Sequence, residues 1–175
     1  MNEPLKLIGR PVLLLMLFLF QATPVLAQSD AIIQREIEAL FSEDAMLRDA
    51  RIKVHVEDRL VILTGEVRLY EQKLITDRMA WTTMGVLEVE NEIRVIPKVP
   101  LSDTDIERKI WEIVKADVRL HGADVEVGVN NGEVSIRGSF AGIGDPLILK
   151  HKVAEIEGVV DITIIATFLA RSGSA

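Results

Sequence analysis

The sequence predicts an α+β protein made of two tandem α-β-β-α-β units, each a small three-stranded sheet with two helices on one face. Two observations carry this prediction. The chain aligns to itself without a gap at an offset of 73 residues, which places Gly65 on Gly138 and Gly85 on Gly158. Each copy also runs through the same succession of helical and alternating apolar patterns. Such agreement indicates duplication of one folding unit.

Each copy begins with a predicted amphipathic helix. Ser29 and Ser102 can cap its N-terminus, and each is followed by an acidic residue in the first turn. Apolar residues then recur at helical spacing. They are Ile33, Ile37, Leu40 and Phe41 in the first copy and Ile106, Ile110, Ile113 and Val114 in the second.

Two alternating segments follow the helix and predict half-buried strands. Apolar residues occupy every second position of 52–56 and 125–129, and the next segments read "LVILTGEV" and "EVSIRGSF". Between the strands of the second copy, "NNG" predicts a hairpin turn, because Asn and Gly tolerate positive φ. Gly65 and Gly138 are interpreted as structural glycines that allow a bulge, a positive φ or a close approach.

A second helix and a third strand complete each copy. The second copy indicates which side of this helix is buried. Its core-like residues Leu149, Val153 and Ile156 align with Thr76, Ala80 and Thr83 of the first copy, which sets the phase of the helix there. This phase leaves Leu74 and Trp81 facing outward, on a surface where the two copies are expected to meet. Because a helix joins the second and third strands, these strands can be parallel.

Turn residues are expected to bound this second helix. Asp145 and Pro146 fit an N-cap and a first helical position, and Gly85 and Gly158 fit the favoured glycine after a helix. The glycine-rich stretch "GSFAGIGD" lacks the spacing of a dinucleotide fingerprint and is interpreted as a strand-to-helix turn.

The N-terminal stretch predicts a secretory signal peptide. Lys6 and Arg10 precede the apolar run 12–20, and small residues precede a cleavage point after Ala27. A retained anchor is the alternative, but the run is short against the roughly 20 residues of a spanning helix. The expected organisation is a signal peptide at 1–27, a first unit at 28–97, a linker at 98–101 made stiff by Pro97 and Pro100, a second unit at 102–170 and a disordered tail at 171–175.

The charge balance limits the classes of partner. Beyond residue 27 the chain has 18 basic and 26 acidic side chains, a net charge of −8. This balance argues against nucleic-acid binding, and contact with an anionic membrane would need a local patch. The chain has no Cys, so lipid attachment at the cleavage point is not available.

No catalytic or metal-binding constellation is visible in the sequence. The only histidines are His55, His121 and His151, and no HExxH, CxxC or GxSxG motif is present. His55 falls on the polar side of a strand and is expected to be solvated. The sequence therefore predicts no catalytic residue, no metal site and no cofactor.

The repeated unit resembles the BON domain (bacterial OsmY and nodulation). The resemblance rests on "VILTGEV", a helix of about twenty residues, and "GVLEVENEIRV". The matching positions are Gly65, Gly85, Val86, Val89, Asn91 and Ile93, and then Gly138, Gly158, Val159 and Ile162. Ile164 stands where the second copy would have the Asn. The resemblance implies a non-enzymatic periplasmic protein that binds phospholipid surfaces or supports envelope proteins, often in osmotic or envelope stress.

The outer faces of the helices supply the candidate binding residues. At 100° per residue, Arg108, Trp111 and Lys115 fall away from the core of their helix, and such a Trp between two cations suits a membrane interface. Contact with the other copy or with a protein partner is the first interpretation, lipid contact the second, and incidental exposure the third. A basic cluster at 150–152 can touch phosphate or be a solvated face. The candidate lipid- or partner-binding set is Arg108, Trp111, Lys115, Lys150, Lys152, Leu74 and Trp81.

Overall fold

The computed structural model describes residues 29–99 and 101–168. The first unit comprises α1 (Asp30–Glu43), β1 (Arg51–Glu57), β2 (Leu60–Val67), α2 (Tyr70–Thr82), β3 (Glu88–Asn91) and β4 (Arg94–Val95). The second comprises α3 (Asp103–Ala116), a 3-10 turn (Val118–Leu120), β5 (Asp124–Asn130), β6 (Glu133–Phe140), α4 (Asp145–Ala154) and β7 (Asp161–Phe168). The expected signal peptide and the expected tail at 171–175 lie outside the described residues.

The two units have the same topology, and the predicted α+β fold class is confirmed. In the first, β1 pairs with β2 in antiparallel fashion, while β3 and β4 both pair with β2 in parallel. In the second, β5 and β6 are antiparallel and β6 and β7 are parallel. The offset of 73 residues holds at both ends of the first helix and of the first two strands.

Each unit buries one face of its sheet under its helices. The buried residues of the first unit include Ile33, Ile37 and Phe41 from α1 and Val61 and Leu63 from β2. The polar side chains of β1 point to the other face of the sheet, where His55 is solvated as expected, with 66% of its side chain exposed. The alternation of apolar and polar residues along each strand sets these two faces.

Each hairpin turn is held by a carboxylate from the first helix of its own unit. Asp103 accepts hydrogen bonds from the backbone N–H groups of Asn131 and Gly132 at 2.8 and 2.9 Å. Asp30 accepts the equivalent pair from Asp58 and Arg59, both at 3.0 Å. The predicted turn is confirmed by the positive φ angles of Asn131 and Gly132, and the first unit forms the same turn with two non-glycine residues.

Two predicted caps differ from the observed ones. Ser102 caps α3 by accepting a hydrogen bond from the backbone N–H of Asp105, but Ser29 makes no such bond. Asp145 is the first residue of α4 and not its cap. Its carboxylate instead accepts the backbone N–H of Gly142 at 2.6 Å, which closes the glycine-rich turn on itself.

The third strand is continuous in the second unit and interrupted in the first. The Asn91 side chain donates to the carbonyl oxygen of Lys73 in α2 at 3.1 Å and accepts from the N–H of Ile93 at 3.2 Å. These bonds turn the chain between β3 and β4. Ile164, at the equivalent position, packs against the core, and β7 continues to Phe168. The second unit, which has Ile in place of the Asn of the family pattern, therefore keeps its third strand continuous.

Gly65 and Gly138 are required by close approach between two strands. A Cβ atom at Gly65 would collide with the carbonyl oxygen of Arg51, and one at Gly138 with that of Asp124. Gly65 also has a φ of 129°, which side chains rarely adopt. Gly85 and Gly158, shortly after the second helices, have positive φ angles as expected.

Candidate binding surfaces

The two units contact each other through the outer face of α2. Tyr70 is only 8% exposed, and it packs within the buried core of the second unit. Leu74 and Val95 pack against the same core. The expectation that Leu74 and Trp81 lie where the two copies meet is confirmed for Leu74 but not for Trp81, which is 50% exposed. Tyr70 was not foreseen. Its equivalent in the second unit, Ile143, is 86% exposed, so the repeat gave no sign of it.

Polar contacts surround this contact between the units. The carboxylate of Glu71 lies 2.9 Å from Nδ1 of His151 in α4. Glu157 accepts the backbone N–H groups of Lys98 and Val99 at 2.7 and 3.3 Å, which fastens the linker to the second unit. Burial and the hydrogen-bonded carboxylate of Asp161 raise the pKa of Tyr70 to about 12. The contact therefore combines a buried ring with several charged groups.

The basic cluster on α4 does not converge on a single ligand position. His151 faces Glu71 of the first unit, and Lys152 lies 3.5 Å from the carboxylate of Asp117 in the second unit. Arg119 also pairs with Asp117, which holds the pKa of that carboxyl well below its usual value. Lys150 is half-buried and forms no ion pair within the described part of the chain. Two of the three basic side chains are thus occupied by carboxylates.

Trp111 does not point away from the core, as the helical spacing led us to expect. It is half-buried and packs against the core of its own unit. Arg108 forms ion pairs with Asp105 at 3.0 Å and Glu112 at 2.9 Å on the same helix, and both pairs raise its pKa. Lys115 is exposed. This face therefore presents less free aromatic surface and less free positive charge than its sequence indicated.

A group of exposed apolar side chains that includes a tryptophan lies at the end of α2 in the first unit. Trp81 is 50% exposed, Met84 76% and Leu87 62%, and we call these three residues the Trp81 patch. The N–H of Leu87 donates to the carbonyl oxygen of Arg59, so the loop rests on the hairpin turn. The exposed Arg78 lies one helical turn before Trp81. Trp81 thus faces outward, as the phase of the helix indicated.

An open groove of about 610 Å³ runs beside β1 in the first unit. Its apolar lining includes Phe41, Leu47 and Ile52, and its polar lining includes Glu38 and Lys53. Trp111 is the equivalent of Glu38 in the repeat. The second unit therefore places a large aromatic ring where the first unit has a carboxylate at the side of a groove.

The described residues offer no site for a metal ion. Among 29–99 and 101–168, no group of three or more His, Asp or Glu side chains is arranged to hold one. In the same ranges, no helix has the length and apolar character needed to cross a membrane.

Comparison with known proteins identifies the repeated unit. The family model described as BON domain matches residues 29–97 and 102–141. The chain belongs to the BON domain family. The matched ranges begin at the first helix of each unit, so the duplicated fold is a pair of tandem BON units. Proteins of this family are generally non-enzymatic and belong to the cell envelope or periplasm.

Individual relatives are more distant. The BON protein is 27% identical over 117 residues to a 21 kDa hemolysin of Actinobacillus pleuropneumoniae, an alignment that covers 64% of this chain and 60% of the hemolysin. Two solved structures of CdsD, a structural protein of the type III secretion system of Chlamydia trachomatis, match 81% of this chain at 13% identity. The matches cover 64% and 67% of those chains, with TM-scores of 0.34 and 0.32.

Proposed function

We propose that this BON protein is a non-enzymatic periplasmic protein that binds phospholipid surfaces, and that the Trp81 patch makes the contact. The observation that carries the proposal is the exposure of Trp81, Met84 and Leu87 at one end of the first unit. A tryptophan ring suits the interface between lipid tails and headgroups. Arg78, one turn away on α2, provides a cation for a lipid phosphate.

The patch belongs to the first unit alone, which supports a specific role. The equivalents of Trp81 and Met84 in the second unit are Ala154, which is fully buried, and Glu157, which holds the linker. Family membership alone would give both units the same binding surface. We infer that duplication left the first unit to bind lipid with this end, while the second unit uses the same end to receive the linker.

The face carrying Arg108, Trp111 and Lys115 is the weaker candidate for the lipid contact. Trp111 is half-buried, and Arg108 already has two carboxylate partners. Lipid contact there would have to expose the ring and compete with both ion pairs. Export by the predicted signal peptide would bring the protein to the membrane surfaces of the envelope, where a role in osmotic or envelope stress fits the family.

Liposome co-sedimentation tests this proposal. We expect the wild type to sediment with vesicles of phosphatidylethanolamine and phosphatidylglycerol, and the double variant Trp81→Ser/Met84→Ser to bind roughly thirtyfold more weakly. That factor corresponds to about 2 kcal/mol for two exposed apolar side chains that lose their contact with lipid.

A matched control comes from the second unit. Val118 is 77% exposed, so Val118→Ser removes exposed apolar surface away from the Trp81 patch. It should leave sedimentation unchanged. If the wild type stays in the supernatant with these vesicles, or if Val118→Ser reduces binding as much as the double variant does, the Trp81 patch is not a lipid-binding surface.

A protein-interaction role is the second candidate, and the groove beside β1 favours it. An extended protein segment can add to an open strand edge and place alternate side chains in a neighbouring groove. A photocrosslinker at Ser42, which lines the groove, would capture such a partner in intact cells. A defined adduct with a different protein would support the adaptor role, whereas adducts with a second copy of this chain or with lipid alone would count against it.

A further inference from the structure

We propose that two copies of this chain associate head to tail, with strand β1 of one copy pairing along its free edge with strand β5 of the other. Both strands lie at the end of their sheets. Within the described residues, β1 pairs only with β2, and β5 pairs only with β6. Each edge therefore presents backbone groups that another strand can satisfy.

The charges of the two edges are complementary. On the open face of its sheet, β1 carries Arg51 and Lys53, whereas the equivalent positions of β5 are Asp124 and Glu126. All four side chains are exposed, and none forms an ion pair with another described residue. At these two positions the repeat reverses sign, which makes this part of one edge basic and the same part of the other edge acidic.

An antiparallel register brings opposite charges together. The two units have the same topology, so joining their equivalent edges with the helices on one face makes β1 and β5 antiparallel, with Arg51 opposite Glu126 and Lys53 opposite Asp124. In this register Ile52 lies opposite Val125, and both of these side chains are half-buried on the helix-covered face. Cross-strand pairs of opposite charge and of β-branched residues stabilise a sheet.

The space beside the strands is complementary as well. The groove of about 610 Å³ lies between α1 and β1, whereas the second unit has the half-buried Trp111 at the position equivalent to Glu38. Pairing the edges brings the helix that carries Trp111 alongside this groove, whose lining includes Phe41 and Leu47. The ring then gains apolar neighbours that its own unit does not supply.

Pairings of like edges are disfavoured by the same charges. Two β1 edges would bring together the cations Arg51 and Lys53, and two β5 edges would bring together four carboxylates. Like charges directly opposite each other destabilise a sheet, so the edges select the unlike partner. The result is a heterologous contact, which either closes into a ring or continues as a chain.

Analytical ultracentrifugation of the chain without residues 1–27 tests this proposal. We expect the average mass to rise with protein concentration at low salt and to fall when salt is added. The variants Arg51→Glu/Lys53→Glu and Asp124→Lys/Glu126→Lys should each weaken association at least about tenfold, because each puts like charges on both edges. A wild type that remains monomeric at the highest soluble concentration would overturn the proposal.

Mixing the two variants separates lost complementarity from misfolding. The first variant has two acidic edges and the second has two basic edges, so each supplies the partner that the other lacks. An equimolar mixture should associate at least as well as the wild type, although each variant alone is monomeric. A mixture that stays monomeric, with both variants folded by circular dichroism, would contradict pairing through these edges.

Disulfide trapping locates the contact. The protein has no cysteine, so a chain carrying Ile52→Cys and a differently tagged chain carrying Val125→Cys have one thiol each. We expect a mixed disulfide between these two chains under mild oxidation. Replacing Val125→Cys by Thr163→Cys, on the exposed face of β7, gives the control. Equal trapping at Thr163 would show that the crosslink reports random collision.

Discussion

Removal of the Tyr70 side chain should disturb the unit that does not contain it. Tyr70 belongs to α2 of the first unit, but its ring is 8% exposed and lies within the buried core of the second. Truncation of a buried aromatic ring to Ala costs about 3–5 kcal/mol. Some of the ring can rehydrate at the boundary between the units, so we expect a loss of about 3 kcal/mol for Tyr70→Ala.

The two tryptophans allow each unit to be followed separately. In a Trp81→Phe background, the fluorescence of Trp111 reports the second unit during denaturant unfolding. In a Trp111→Phe background, Trp81 reports the first. We expect Tyr70→Ala to lower the midpoint seen by Trp111 and to separate the two transitions, because α2 no longer anchors the second core.

The repeat provides the matched control for this experiment. Ile143 is the equivalent residue of the second unit and is 86% exposed, so Ile143→Ala should change stability by less than about 0.5 kcal/mol. The docking of the two units through Tyr70 would be refuted if Tyr70→Ala left the Trp111 transition in place, or if Ile143→Ala cost as much.

Three further results are expected from the fold. Because the pKa of Tyr70 is raised to about 12, its contribution to stability should be fully present below pH 10 and should be lost as the pH rises from 10 to about 12. We expect this loss to be about 1–2 kcal/mol, since solvent screens the exposed Asp161. Tyr70→Phe should remove this pH dependence in alkaline thermal melts, and an unchanged pH profile would contradict the prediction. Gly65→Ala should cost more than about 2 kcal/mol in urea unfolding, because the new methyl group meets the carbonyl oxygen of Arg51; a neutral effect would mean that the strands can separate there. Asp103→Ala should cost about 1–3 kcal/mol in the same assay, because two N–H groups of the turn lose a charged acceptor. Asp103→Asn should recover part of this loss. Equal losses in both variants would show that the side chain of Asp103 does not stabilise the turn through these hydrogen bonds.

Local sequence patterns were sufficient to predict much of the architecture. The offset between Gly65 and Gly138 reflects one strand geometry used twice, and close approach to the neighbouring strand requires glycine at both positions. The buried phase of α2 was also inferred correctly from the second copy, although Thr76 and Ala80 form no obvious apolar stripe. The alignment of the two copies therefore predicted the buried side of α2, which the residues of α2 alone did not indicate.

The contacts between units could not be predicted in this way. Tyr70 and Ile143 occupy equivalent positions but have opposite exposure, because only one of them meets the other unit. The placement of Trp111 was misjudged for a geometric reason. It lies only about 60° around the helix from Val114, on the flank of the core, and a large ring can reach the core from there.

The site itself was predicted only in part. Trp81 was among the candidate residues and is exposed, but Met84 and Leu87 follow the helix and carry no periodic signal. The reversal of charge between β1 and β5 was visible in the aligned copies, yet its meaning depends on both strands being sheet edges. Strand order is a tertiary property that the alternation of residues does not encode.

The most direct test of the proposed lipid contact is tryptophan fluorescence with vesicles that contain brominated phospholipid. Trp111→Phe leaves Trp81 as the only emitter, and Trp81→Phe leaves Trp111. We expect a blue shift and strong quenching for the chain that keeps Trp81, and little change for the chain that keeps Trp111. Quenching of Trp111 alone, or of neither residue, would contradict lipid binding through the Trp81 patch.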